Sequence, residues 1–487
     1  GLYFGESNDL LIGHDGSSTR INDNFGYLNI TSNILELKST TGSEFYASFI
    51  RNGSAKLYYD GTERFATSGI GVTITGEVAA TQDYPDIRPT LDFNFAATKK
   101  LDPRLEYQRT GTASFVNEFG KVVLVSDNVP RFDHGYEYVN ANSVKLLRGE
   151  SKGLLIEEER TNLVGYSIYN GDKSGTAQTS SGNTGNWSLT LGHATFTGGI
   201  DAPDGSNDAV RFTALNTGFA LFRIPIPAFT ANGSDSYTLS FYARDISGTG
   251  NITCDVQDQN PTLGSWNQYM ITNEWVRIVV TGVPSSGSKT FIDIMSNSNN
   301  NRVFDIWGVQ LEKGLFATSF IPTHGSTASR GQDFLVMTGT DVDDIFNPNE
   351  GTMFYEASVT DLTNANQPIV AFRNSLNTGE EFFAMGHATG GSPGKVRVWA
   401  KNSAGSNVHI TTHSTSLVAD TPYKHAFGYA YNNYSDVFTQ GTNSSQLNTI
   451  NSGNHAMMAT GVINELRFGA YYTCLLYTSD AADEPSS

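Results

Sequence analysis

The sequence predicts an all-β chain: a short fibrous β-shaft segment followed by two tandem antiparallel β-sandwich (jelly-roll) domains. Three observations carry that prediction. Short runs of alternating apolar and polar residues recur, as in Ser236 to Arg244 and Thr290 to Met295, which is the period of half-buried strands. Clusters of Gly, Asn, Asp and Ser separate these runs. Aromatic residues make up 11% and charged residues 16% of the chain, a balance that suits sandwiches with long polar loops rather than helical bundles or disorder. The 487 residues suit about three domains. No apolar run approaches the length of a bilayer span, so no membrane insertion is expected. A net charge of −18 argues against nucleic acid as a partner. The chain opens at Gly1 and reads as a fragment, so the lack of a signal peptide carries no information.

Residues 1–76 form the shaft segment. Asp15-Gly16 and Asp60-Gly61 each follow an apolar run and signal hairpin turns. Leu35-Glu36-Leu37 and Val72-Thr73-Ile74-Thr75 alternate. Large apolar residues are too few here to build a core from one copy, and three copies about one axis would supply it. A plain β-meander is the alternative. Residues 77–153 are a connector punctuated by Pro85, Pro89, Pro103 and Pro130. Short strands are expected at Ala113 to Val116 and Lys121 to Val125, around a Glu118-Phe119-Gly120 turn. Residues 154–322 form the first sandwich. Its strand SYTLSFYARD places Tyr237, Leu239, Phe241 and Ala243 on one face. In its closing strand, Phe304, Ile306, Gly308 and Gln310 face one way. Asp305, Trp307, Val309 and Leu311 face the other, and the stronger apolar set is expected to point inward. Residues 323–473 form the second sandwich. There GTMFYEASV aligns Met353, Tyr355, Ala357 and Val359, and KVRVWAK puts Val396, Val398 and Ala400 inside with Arg397, Trp399 and Lys401 outside.

Several of these words resemble known families. LYYDGTERFATSGIGVTITG (57–76) resembles a shaft segment of bacteriophage tail fibres. GLLIEEERTNL (153–163) and FDIWGVQLEKGLFATSFIP (304–322) resemble words that bracket one β-sandwich in predicted tail-fibre proteins, and Leu101 to Arg104 and Pro130 to Asp133 match words that precede it. The first sandwich shares the architecture of many carbohydrate-binding modules. The second, ending in INELRFG, resembles the concanavalin A/laminin-G-like lectin sandwich. Cys474 to Glu484, CLLYTSDAADE, resembles translated read-through of a sequencing adapter. Residues 474–487 are therefore expected to be unstructured and the second sandwich truncated, which leaves Cys254 with no intrachain partner.

Candidate chemistry is sparse. A lectin-like glycoside hydrolase needs Glu-x-Asp-x-x-Glu on one strand, and that word is absent. Glu157-Glu158-Glu159 reads as a solvated edge. His409 and His413, four residues apart on a strand, stand about 13 Å apart and cannot share one ion unaided. No metal site is therefore assigned. Asp341, Asp343 and Asp344 could hold calcium as a hard oxygen cluster, although they lack a ligand comb. The glycan-binding candidates are Trp399 with Arg397 and Lys401, an indole beside two cations, and Trp187 in a polar loop. Seven N-x-Ser/Thr words arise from composition.

These expectations add up to a non-enzymatic virion structural protein, a homotrimeric tail-fibre subunit located on the extracellular tail. Its partners would be a host cell-surface glycan and other virion tail proteins, with no cofactor required. The alternatives are the glycan-binding module of a secreted polysaccharide-degrading enzyme and a depolymerising tailspike.

Overall fold

A computed structural model describes residues 2–4, 10–14, 16–23, 28–68, 71–75, 89–134, 137–138, 144–146, 151–178, 187–189, 193–215, 220–248, 250–257, 268–296, 302–362, 367–375, 382–388, 394–401, 407–430, 433–449, 463–469 and 476–479. The chain divides into two units, residues 1–89 and 90–487.

The first unit is two antiparallel sheets. One joins Leu2–Phe4, Leu10–His14 and Thr19–Asp23. The other is a five-stranded meander of Ile34–Lys38, Phe45–Ile50, Ala55–Tyr59, Thr62–Ser68 and Gly71–Ile74. Asp60 and Gly61 take φ of 50° and 69°, the two left-handed positions of a type I′ turn, and Tyr59 pairs with Thr62 across it. Among the described residues of this unit only Ala47 and Ser48 are buried. Leu37, Leu57, Tyr59, Val72 and Ile74 are all exposed, Tyr59 to 73%.

The second unit holds two sandwiches in which every strand pair is antiparallel. The first has a seven-stranded sheet in the order Glu137–Tyr138, Val144–Leu146, Val276–Gly282, Tyr237–Asp245, Val303–Lys313, Ala209–Ala214, Ala194–Ile200. Its five-stranded sheet runs Ser188–Leu189, Leu221–Ala231, Gly287–Ser296, Gly250–Gln257, Gln268–Ile271. Phe212, Phe222, Phe241, Ile294 and Phe304 lie in the core between them. Cys254 is buried there too, and burial pushes its thiol up.

The second sandwich packs two seven-stranded sheets. One runs Phe132–Asp133, Gly153–Ile156, Leu476–Ser479, Gly351–Val359, Tyr423–Ala430, Asn433–Gln440, Asn443–Thr449. The other runs Asn407–Ser416, Lys395–Lys401, Phe382–Ala388, Gln367–Arg373, Glu465–Phe468, Phe334–Thr338, Glu106–Gln108. Val396, Val398 and Ala400 face its core, with Phe383 and Phe427.

The domain boundaries differ from those expected from sequence. The stretch 77–153 contributes strands to both sandwiches. Glu106–Gln108 and Phe132–Asp133 pair in the second, and Val144–Leu146 in the first. Gly153–Ile156, expected to open the first sandwich, is a strand of the second. Most of the first sandwich is thus an insertion into the second. Arg160–Asn162 pairs with Ala328–Arg330 where the chain enters and leaves it. Leu476–Ser479, within the stretch expected to be unstructured, pairs with Gly153–Ile156 on one side and Gly351–Val359 on the other. Without it those two strands would each present an unpaired edge.

The closing strand of the first sandwich corrects the alternation read from sequence. Phe304 and Ile306 point into the core, and so do Val309 and Leu311. The pairing with Tyr237–Asp245 slips between Ser240 and Tyr242, opposite Gln310 and Trp307. Gly308, at φ 64°, sits in this bulge and turns Trp307 to the other side. Trp307 is fully buried there against Tyr242 and Phe320, under the hairpin of Ala113–Val116 and Val122–Val125 that carries Val116 and Val122.

Candidate functional site

The two tryptophans offered as sugar platforms have different surroundings. Trp187 is fully buried in the first sandwich, so the platform expected there does not exist. Its indole N–H donates to the Tyr166 carbonyl at 2.9 Å, and Phe222 meets its ring edge-on. A large ring with one polar handle is stabilised by burial once that handle finds an acceptor.

Trp399 lies on the outer face of its sheet, against Ala371 and Ala384, with Ile410 as its cross-strand neighbour. The Arg397 guanidinium stands 5.5 Å from the ring centroid, and Arg397 and Lys401 are both half-buried. The ring itself is only 8% exposed. Trp399, Arg397 and Lys401 therefore share one face, but a sugar could stack on the indole only after the groups covering it move aside.

Glu157 and Glu158 are buried, not a solvated edge. Arg131 donates to Glu157 at 2.5 Å, to the Ser319 hydroxyl at 2.6 Å and to the Ser114 carbonyl at 3.0 Å, and it also pairs with Asp333. Ser319 donates its backbone N–H to Glu157 at 2.7 Å. Asp333 receives the Glu157 backbone N–H at 2.7 Å and the Tyr107 hydroxyl at 2.5 Å. Arg330 stands 3.5 Å from Glu157, and Arg109 3.4 Å from Asp333. Burial opposes the charge on Glu157, yet Arg330 and Arg131 hold its carboxyl down at about 2. Burial pushes the Tyr107 hydroxyl up to about 12, with the Asp333 charge adding to it. Every member of this network is sealed from solvent, so it ties segments together and offers no substrate access.

A second polar cluster lies inside the second sandwich. Strand alternation turns His409, Thr411 and His413 inward from Asn407–Ser416, at one edge of their sheet. His425 and Asp436 turn inward from Tyr423–Ala430 and Asn433–Gln440 of the facing sheet. His425 Nε2 is 2.7 Å and His413 Nε2 3.0 Å from the same oxygen, Asp436 Oδ1. Thr411 donates to Asp436 Oδ2 at 2.5 Å. His425 Nδ1 is 3.0 Å from the Tyr355 hydroxyl, which lies 3.1 Å from that of Tyr423. Burial lowers the basicity of His425, with Asp436 opposing. Asp436 stays below the ordinary carboxylate range against the cost of burial, through the close approach of the two histidines and its bond from Thr411. Distance excluded His409 with His413 as an ion-binding pair in the sequence, but His413 finds its neighbours across the sandwich. The only sequence signal for that grouping was the inward parity of all three residues on separate strands.

Asp341 and Asp343 lie on the one-turn helix Thr340–Asp343 and Asp344 caps it. Val342 is their buried neighbour, and the three do not converge as a ligand group among the described residues.

No protein-family model and no curated protein matches the chain. Among solved structures it is similar to the N-terminal CBM22-1–CBM22-2 tandem domain of Xyn10C from Paenibacillus barcinonensis. The identity is 7% and the TM-score 0.23, over 65% of this chain and 99% of that one. A likeness that loose carries no argument about function.

Proposed function

We propose that the chain is a non-enzymatic subunit of an adhesive fibre, of the bacteriophage tail-fibre type that its sequence words resemble, and that it holds a host-surface glycan. The observation that carries this reading is the first unit. Its strands leave Leu37, Leu57, Tyr59, Val72 and Ile74 in solvent and bury only Ala47 and Ser48 among the described residues. Such a surface needs cover, and identical copies supply it because each presents the same apolar rows. Three copies wound about one axis would leave no row uncovered, and several sandwiches on one fibre would multiply a weak sugar contact. For that contact, Trp399 offers an apolar ring, and Arg397 and Lys401 offer cations to an acidic sugar.

The test is sedimentation of the full chain beside a chain that begins at Thr90. The full chain is expected as a trimer and the shorter one as a monomer. A monomeric full chain would defeat the fibre reading. On a glycan array the trimer is expected to retain acidic glycans, and Trp399→Ala to lose them. Equal retention by both would remove this face from the proposal.

A further inference from the structure

We propose that His413, His425 and Asp436 form a structural site for one divalent first-row transition ion, of the zinc type, inside the second sandwich. The three donor atoms lie within 4.8 Å of one another, and all three side chains are fully buried. Two imidazoles and one carboxylate suit zinc and its neighbours better than calcium or magnesium, which select oxygen. Donor atoms at bonds of about 2.0 Å in a tetrahedron stand roughly 3.3 Å apart. Two of the separations here are 2.7 and 3.0 Å and the third, between the imidazoles, is at most 4.8 Å, so the ion would spread the carboxylate from each ring by a few tenths of an ångström and draw the two imidazoles together.

Hydrogen bonding accounts for only part of the cluster. His425 bonds Asp436 well. His413 Nε2 stands 3.0 Å from Asp436 Oδ1 but outside good hydrogen-bond geometry, its Nδ1 has no hydrogen-bond partner among the described residues, and its ring packs edge-on to Phe438. A buried imidazole aimed at a carboxylate without a sound hydrogen bond leaves a large desolvation cost uncompensated. The charge count points the same way. Among the described residues the ionic partners of Asp436 are the two histidines alone, with no Lys or Arg to balance it. A divalent ion would supply that balance.

The surrounding shell is also in place. Tyr355 holds His425 Nδ1, which directs Nε2 at the site, and Thr411 fixes the second oxygen of Asp436. The ion would join the edge strand Asn407–Ser416 to the facing sheet, where the flanking inward residue His409 is polar as well.

The experiment uses the full chain, stripped with chelator and reloaded with zinc or cobalt(II) alone. One ion per chain is expected by elemental analysis, with visible cobalt d–d absorption of tetrahedral strength. Zinc X-ray absorption on the unaltered chain should show two imidazole ligands. His413→Gln and Asp436→Asn should weaken uptake by about tenfold or more, while His14→Gln, outside the cluster, should leave it unchanged. Thermal unfolding should come earlier after stripping and recover on reloading. Substoichiometric uptake by the unaltered chain, a zinc spectrum without imidazole, or full uptake by a folded His413→Gln chain would each overturn the proposal.

Discussion

Glu157 shows how a single side chain can close a fold. Its oxygens accept from Arg131 and from both the backbone and hydroxyl of Ser319, which lie on segments far apart in sequence. Three sequence words meet here: Arg131 from Pro130 to Asp133, Glu157 from Gly153 to Leu163, and Ser319 from Phe304 to Pro322. Their residue types were legible in the sequence, but their burial was not, because a run of three acidic residues alone gives no sign of Arg131 and Arg330 converging on Glu157. Glu157→Gln keeps the shape and removes the charge, leaving the guanidiniums under-compensated, so a loss of about 3–5 kcal/mol is expected from chemical denaturation. Acid should act in the same way. The folded carboxyl sits near 2 against an ordinary 4.5, so its contribution is complete above 4.5 and lost as pH falls toward 2. The full difference is about 3 kcal/mol. Unfolding curves recorded across that range for the unaltered and Glu157→Gln chains should converge at the acid end. Gly308 is the other residue that decides its surroundings. A Cβ there would stand 3.0 Å from the Tyr242 ring at φ 64°. Gly308→Ala should cost about 1–3 kcal/mol, read as a lower melting temperature with retained β-sheet circular dichroism.

At the scale of elements, most strands were legible because alternation survives wherever a strand has one wet face. Tyr423–Ala430 and Lys395–Lys401 are of this kind, with Phe427 and Val398 inward. Val303–Lys313 was not legible in full, because it is buried on both faces and carries a bulge. Alternation carries no signal of either, so Trp307 was placed on the wrong side. Nor could the sequence show which strands pair, since Gly153–Ile156 meets a strand from the far end of the chain. The His413–His425–Asp436 grouping was hidden for the same reason. Leu476–Ser479 provides a direct test. A chain ending at Thr473 opens two strand edges in the middle of a sheet, and a loss of more than about 2 kcal/mol is expected from the missing ladder and the new edges. Unchanged melting would mean that this strand adds nothing, as expected of an adapter-derived tail.

On the scale of the whole molecule, the chain joins a unit whose described residues bury almost nothing to a unit with two full cores. The first should therefore lose its protection from protease on dilution below the concentration at which copies dissociate, while the second should keep it at every concentration. Limited digestion across a dilution series would show this as loss of the residues before Thr90 alone. The insertion of one sandwich into the other has a consequence in time. The strands Glu106–Gln108, Phe132–Asp133 and Gly153–Ile156 leave the ribosome long before most of their partners exist. The inserted sandwich is complete once Val303–Lys313 has emerged, so it can mature while the host sandwich still waits for its last strands. Synthesis thus imposes an order on assembly: the guest domain first, its host second.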